Sequence, residues 1–256
     1  VDLNHFEKIQ SYLPIDLAEP SGFLIAFLVV LSFILIRYFS LVAIFYFWFW
    51  QKNSSHPRKL HDQLIKPNQV RFEIKHSMIS SLVFAFFGVL LGLLWQRGYT
   101  LIYLKFDQLG FWYLPLSFIL ISIIHEFYFY ATHRWMHIPR IYNLFHHVHH
   151  FSRKTSPWAS FSFHFNEAVV QAVFLPLIVM IVPVHPVVLI AYLTFMTVTA
   201  ISNHLGIELI PSKNITRHFI SGEHHSLHHQ FFNGNFGLYF CFMDRLFGTE
   251  MKEKKK

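Results

Sequence analysis

The chain has one cysteine, Cys241, in 256 residues. That excludes an internal disulfide framework, and with it any zinc or iron–sulfur site built from several thiolates. A metal held by this chain must be held through nitrogen or oxygen. Charge is equally scarce. Asp, Glu, Lys and Arg together make up 14% of the chain, against about 25% in ordinary soluble domains. This excludes a typical soluble fold and leaves a membrane protein. Neither a GxGxxG loop nor a haem-attachment motif occurs, so no nicotinamide, flavin or covalent haem domain is expected. The net charge is +7, but the basic residues flank apolar runs instead of forming one soluble face, which argues against nucleic acid as a partner. The first twenty residues are polar and mildly acidic, without the basic start and cleavage site of a signal peptide, so the first apolar run is expected to remain as an anchor.

What is present is apolar surface, 54% of the residues, and aromatic side chains, 19%. A helix needs roughly 20 apolar residues to cross a bilayer. Apolar runs cover residues 22–50, 78–95, 111–130, 168–182 and 186–201. The first predicts one long tilted helix, in which Arg37 either snorkels to the interface or faces other helices. Residues 51–76 form a polar, basic connector. The last two runs are short and meet at the turn VPVHP, predicting a helical hairpin. The fold expected is all-α: a multi-pass membrane bundle of four to five spans with a cytoplasmic helical cap. Residues 1–110 are expected to form an N-terminal membrane region and residues 111–256 a second region that carries most of the histidines. With five crossings, the connector, the segment 131–166 and the C-terminal segment, which carry most of the lysines and arginines, share one side. By the positive-inside rule that side is cytoplasmic. The terminal KEKKK is either a retrieval signal of the endoplasmic reticulum or an ordinary basic tail.

Histidine is concentrated as sharply as cysteine is absent. Fifteen of the 19 histidines fall between His125 and His229. HRWMH carries His133 and His137. HHVHH carries His146, His149 and His150, and HHSLHH carries His225, His228 and His229. Residues three or four apart share one face of a helix, so each cluster predicts a helical piece with its imidazoles aligned, just beyond an apolar span. Eight imidazoles exceed what one metal takes and suit two six-coordinate ions with open positions. Imidazole suits iron, copper, zinc and nickel alike, so the ligands alone do not choose the metal. His125-Glu126 begins like a zinc-protease motif, but Phe129 stands where the second histidine belongs. His125 is either a further ligand or a partner to one.

These residues lie within EFYFYATHRWMH, FHHVHH, SPWASFSFHFNEA and HHSLHHQFFNGNFG, followed by DRLFGT. In that order the segments resemble the fatty acid hydroxylase and sterol desaturase superfamily of membrane di-iron enzymes, over about residues 117–249. Their context is most similar to the sterol carbon-5 desaturase (lathosterol oxidase) branch. The resemblance implies metal ligation by His133, His137, His146, His149, His150, His225, His228 and His229, and adds His204 from SNHLG. His164 and His224 are further candidates. It also implies that Asn235 supports the site from behind, and Glu126 and Glu167 are carboxylates able to accept the far nitrogen of a ligated histidine. Glu126 replaces the family's aspartate and Phe165 its proline.

The activity implied is an oxidoreductase with two iron ions that uses O2 to hydroxylate or desaturate an unactivated C–H position of a sterol-type or fatty-acyl lipid. Its electrons come from an external donor, a haem protein or a ferredoxin with its reductase. The location implied is a bacterial inner membrane or the endoplasmic reticulum, with the site facing the cytoplasm. A membrane zinc hydrolase and a metal transporter are the alternatives. The first would need a carboxylate acting beside one ion, the second a donor path through the spans.

Overall fold

A computed structural model describes residues 12–51, 58–60 and 65–251. His5, His56, His61, the first eleven residues, residues 52–57 and 61–64 of the connector and the KEKKK tail lie outside the described residues. The elements are helical: α1 (Pro20–Phe45, continued by a π-helical turn Tyr46–Gln51), α2 (Pro67–Gln96), α3 (Tyr113–Met136) and α4 (Pro139–Phe145). Two 3-10 turns follow, His149–Phe151 and Pro157–Phe161, then α5 (Phe165–Val179), α6 (Pro186–His204), α7 (Lys213–Thr216), α8 (Gly222–Phe231) and α9 (Phe242–Leu246). Pairing of extended backbone among the described residues is limited to isolated bridges such as Ile102 with Val184. The chain is thus a helical membrane protein.

Local chemistry sets the helix starts. Proline opens α1, α2, α4 and α6 at the first turn, where its missing N–H costs no hydrogen bond and its fixed φ suits the helix. His164 and His185 cap α5 and α6 by accepting from the backbone N–H of Asn166 and Val187.

Four helices, α1 (extended to Phe49), α2, α3 and α6, are long and apolar enough to cross a membrane. α1 turns large apolar side chains outward, Val29 being 63% and Ile36 67% exposed, a surface that suits lipid. α5 has 15 residues, about 22 Å at 1.5 Å per residue, short of the roughly 30 Å hydrocarbon core. It nevertheless runs the depth of the bundle: Glu167 at its start touches His146, and Val179 at its end accepts from Leu101 N–H on the opposite side. α5 and α6 follow each other across the turn as expected, but they pack on α3 and not closely on each other, so they do not form a packed hairpin.

Two boundaries differ from the sequence expectation. α2 starts at Pro67, so ten residues assigned to the connector are helical. Hydropathy marks where a chain enters apolar surroundings, not where its helix begins. The 30-residue α2 spans about 45 Å, and its polar first turns lie in the layer of the histidine segments, where Glu73 meets Ser152 and Ser156. The segment from His146 to His150 is also not one helix face. His146 closes α4, and His149 and His150 lie in a separate 3-10 turn.

Polar ties join the spans to that layer. Tyr38 of α1 donates to the Trp158 carbonyl at 2.8 Å and meets Ser77 Oγ of α2 at 3.0 Å. Glu73 of α2, fully buried, accepts from Gln69 Nε2 at 2.8 Å, from Ser152 Oγ at 2.7 Å and from Ser156 Oγ. The spans thereby clamp the loop that carries the second histidine cluster.

Candidate metal centre

Nine histidines gather at one end of the bundle, in two groups. His133, His137, His146, His150 and His228 form one, and His149, His204, His225 and His229 the other; within each, one nitrogen per residue lies within 4.8 Å of all the rest. The groups adjoin, with the rings of His150 and His229 4.6 Å apart. Eight of the nine are buried, and His137 is half-buried.

The second and third sequence clusters divide between the groups, whereas His133 and His137 of the first both belong to the group of five. On α8, His225 and His229 are four residues apart and bring their Nε2 atoms to 3.1 Å. His228 lies on the adjoining flank of the same helix and faces His133, ring to ring at 4.5 Å. In the second cluster, His146 meets His133 (Nε2 to Nε2, 3.0 Å) and His150 meets His137 (3.2 Å), while His149 turns to His204 (3.3 Å). His204 also meets His225 at 2.9 Å.

These contacts test whether a metal fits. Backbone carbonyls only accept hydrogen bonds. His133 Nδ1 faces the Phe236 carbonyl at 2.9 Å, His149 Nδ1 that of Ser162 at 3.3 Å, His204 Nδ1 that of Ala200 at 2.7 Å, and His228 Nδ1 that of Gly234 at 2.8 Å. Each of these Nδ1 atoms therefore carries the proton, and each neutral ring points a bare Nε2 inward. His149 and His204 then oppose lone pair to lone pair, a repulsive contact that a cation between them resolves. His228 Nε2 is buried with no partner at all. At metal–nitrogen distances of about 2.0–2.1 Å, ligands at right angles sit about 2.9 Å apart and tetrahedral ones about 3.4 Å. The observed separations of 2.9–3.3 Å span that range. Five donors exceed a tetrahedron, so the first group suits a five- or six-coordinate ion.

The electrostatics agree. Burial, reinforced by the neighbouring imidazoles, holds His146, His149, His150, His225, His228 and His229 well below the usual histidine range. His137 is pushed down to about 2, by burial first and by His133 second. At neutral pH these imidazoles are uncharged, the form that binds metal. Glu167 Oε1 lies 2.8 Å from His146 Nδ1, off the N–H direction, and burial raises its carboxyl well above the usual carboxylate range, so a cation on the far side of the ring is what would favour its charged form.

Residues 234–240 present two of the carbonyls, and two buried acids hold that loop. Glu126 accepts from the backbone N–H of Leu238, Tyr239 (2.7 Å) and Phe240, and Asp244 from Phe236 and Gly237. Glu126 thus serves the loop and not the far nitrogen of a histidine. Asn235 touches no imidazole either. It adopts the left-handed backbone conformation (φ 57°), accepts from Met251 N–H and donates to the His224 carbonyl. Its support for the site passes through the flanking carbonyls of Gly234 and Phe236.

The structure brings together all nine histidines expected as ligands. His125, His164 and His224 lie outside both groups. His125 stacks on Phe174 at 3.9 Å and pairs with Tyr192 Oη at 2.6 Å. His164 caps α5. His224 lies beside Cys241 and Glu250, which could form a smaller set of donors. Sequence reasoning missed Glu73 and Asp244. Glu73 left one signal, an acid isolated among basic residues just before an apolar run.

The sequence model of the fatty acid hydroxylase family matches residues 118–249, which hold all nine histidines. The chain belongs to that family. Among its relatives within this fatty acid hydroxylase family is the lathosterol oxidase of Homo sapiens, 32% identical over 220 residues, covering 84% of this chain and 70% of the relative. The Delta(7)-sterol 5(6)-desaturase ERG3B of Gibberella zeae is 30% identical over 205 residues, covering 80% and 61%. The Delta(7)-sterol 5(6)-desaturase erg3C of Aspergillus fumigatus is 32% identical over 227 residues, covering 80% and 68%. The chain thus spans between three-fifths and seven-tenths of the length of these relatives. No solved structure matches it significantly.

Proposed function

We propose that the chain is an O2-dependent membrane oxidoreductase that hydroxylates or desaturates a lipid at an unactivated C–H position, using two iron ions held by the nine histidines. The observation that carries the reading is the convergence of two adjoining groups of neutral, buried imidazoles at the end of a lipid-facing bundle. Membership in a family whose relatives are named for lipid oxidation adds to it. Iron, when bound, would supply O2 reduction and the one-electron steps that break a strong C–H bond.

The chain's own contribution is placement and dryness. Phe129 packs on His133 (ring centroids 4.9 Å) and Phe163 on His149 (5.1 Å), giving the bundle side of the centre apolar walls. An all-imidazole set would hold the ions without neutralising their charge. The carbonyls behind the rings fix their tautomers, so the nitrogens need no reorganisation when metal enters. Hydroxylation consumes O2, two electrons and two protons and releases one water. Desaturation consumes the same and releases two.

The electrons come from an external acidic carrier. His137, the half-buried histidine, lines an open cleft with Arg134, Trp135 and Ile138. Arg140 and Arg153 add positive charge nearby in the sequence, which suits an acidic partner. The same basic residues support a cytoplasmic position for the centre.

The test is metal content per chain by mass spectrometry, on protein purified in detergent from iron-supplemented cells. The wild type is expected to hold two ions, iron among them, and His228→Ala to lose one or both. One ion or none in folded wild-type protein refutes the dinuclear reading. A turnover rate indifferent to ionic strength refutes the docking of an acidic carrier.

A further inference from the structure

A largely apolar cavity of about 170 Å³ lies among α1, α2, α3, α5 and α6. Phe129, Phe163 and Ala200 line it, and each adjoins the histidine layer. Phe129 and Phe163 pack on His133 and His149, and the Ala200 carbonyl holds His204. Besides Ser160, whose Oγ donates to the Pro157 carbonyl, three polar side chains break its apolar wall: Arg37, His125 and Gln171. Each has buried nitrogen without a hydrogen-bond partner, namely Arg37 Nε and Nη1, His125 Nε2 and Gln171 Nε2. Buried polar atoms are nearly always paired, because an unpaired one gives up its hydration with nothing in return. Three such residues around one cavity call for a ligand.

Their chemistry restricts that ligand. The arginine nitrogens and the glutamine amide nitrogen only donate. His125 Nδ1 is engaged with Tyr192 Oη, leaving Nε2 to face the cavity. Helix geometry gives the depth. Gln171 lies one turn beyond Glu167, about 6 Å along α5, and His125 lies eight residues before His133, about 12 Å along α3. Phe174, one turn beyond Gln171, stacks on His125, so the two donors occupy neighbouring levels beneath the centre.

We propose that this cavity recognises a lipid by an acceptor oxygen, bound by Gln171 and His125 beneath the histidine layer, with Arg37 as a further donor to the occupant. The inference rests on the reading of the chain as a lipid oxidoreductase and adds what that reading leaves open. The substrate is an oxygen-bearing amphiphile, and its oxygen sits about one to two helical turns from the metal centre. These donors select the lipid and set which carbon reaches the centre.

The test uses metal-loaded, detergent-purified protein and two pairs of tritiated probes, hexadecan-1-ol with hexadecane and 5α-cholestan-3β-ol with 5α-cholestane. Binding is measured by equilibrium dialysis against empty micelles. The alcohol of at least one pair is expected to bind about ten-fold more tightly than its hydrocarbon. Gln171→Leu and Arg37→Met, which remove donors while keeping bulk, are expected to lower that preference to about two-fold or less and to leave hydrocarbon binding unchanged. Equal binding within both pairs overturns the proposal, as does binding of neither probe or a preference that survives in both variants. Metal content is read on the same samples. Loss of metal in Gln171→Leu would show that Gln171 serves Glu167 and the centre instead, and would also overturn it. Two ions per chain with no preference for oxygen sinks this inference alone, whereas a metal-free wild type sinks the oxidoreductase reading.

Discussion

Glu167→Gln isolates one carboxylate without changing its shape. Glu167 and His146 are both buried to within 2% of full occlusion, and the carboxylate oxygen lies 2.8 Å from Nδ1. Neither group is screened by solvent. The carboxyl lies off the Nδ1–H direction, so the amide removes a group that can carry charge behind the ring and not a hydrogen bond. The ring also becomes a poorer base toward a metal on Nε2. Changes behind ligated histidines typically lower metal affinity by about 10–100-fold, or about 1.4–2.7 kcal/mol. His146 belongs to the group of five, so one ion should weaken and the ion among His149, His204, His225 and His229 should stay. The assay is a competition with a soluble chelator, reading metal per chain by mass spectrometry, with thermal unfolding in detergent to confirm an intact fold. Loss of one ion at about a tenth or less of the wild-type chelator concentration fits the geometry. An affinity within two-fold of wild type, or both ions leaving together, refutes the assignment of Glu167 to one group.

Two further outcomes follow from buried charge. Glu73→Ala leaves Gln69, Ser152 and Ser156 without their shared acceptor and is expected to cost about 3 kcal/mol or more. The variant should melt markedly lower, and limited proteolysis should cut first near residues 152–156; unchanged melting would show that the carboxylate does not clamp this loop. In metal-free protein, the six histidines held well below the ordinary value of 6.5 stay neutral while the unfolded chain protonates. Stability should be flat above pH about 6.5 and fall as pH drops below it, by up to about 1.4 kcal/mol per pH unit for each histidine. Stability that holds level or rises from pH 7 to pH 5 would contradict the neutral, buried placement of these rings.

The apolar runs and histidine spacings carried the membrane class, the nearness of spans to clusters and eight of the nine candidate donors; His204 came only with the family resemblance. Composition decides which solvent a chain can face, and a donor must be present in the sequence before any fold can place it. The grouping of those donors depended on packing. Spacing fixes angles within one helix: His225 and His229 share a face, and His228 is turned from it. It does not say that His228 joins His133, or that His149 parts from His146 and His150 in a 3-10 turn that was expected to be helical. Those pairings cross from α3 to α8 and from α6 to the loop before α5, and only the close approach of the helices creates them.

The proton positions were equally out of reach of the sequence, because carbonyls of Gly234, Phe236, Ser162 and Ala200 set them, and every residue offers the same backbone oxygen. Glu126 shows the limit most plainly. Its type marked it as a partner for histidine, yet the fold spends its charge on three backbone N–H groups of a loop more than a hundred residues away. The sequence determined which groups exist and which solvent surrounds them. The tertiary structure decided which lone pairs meet, because that depends on distances of 3 Å between segments that the chain itself holds far apart.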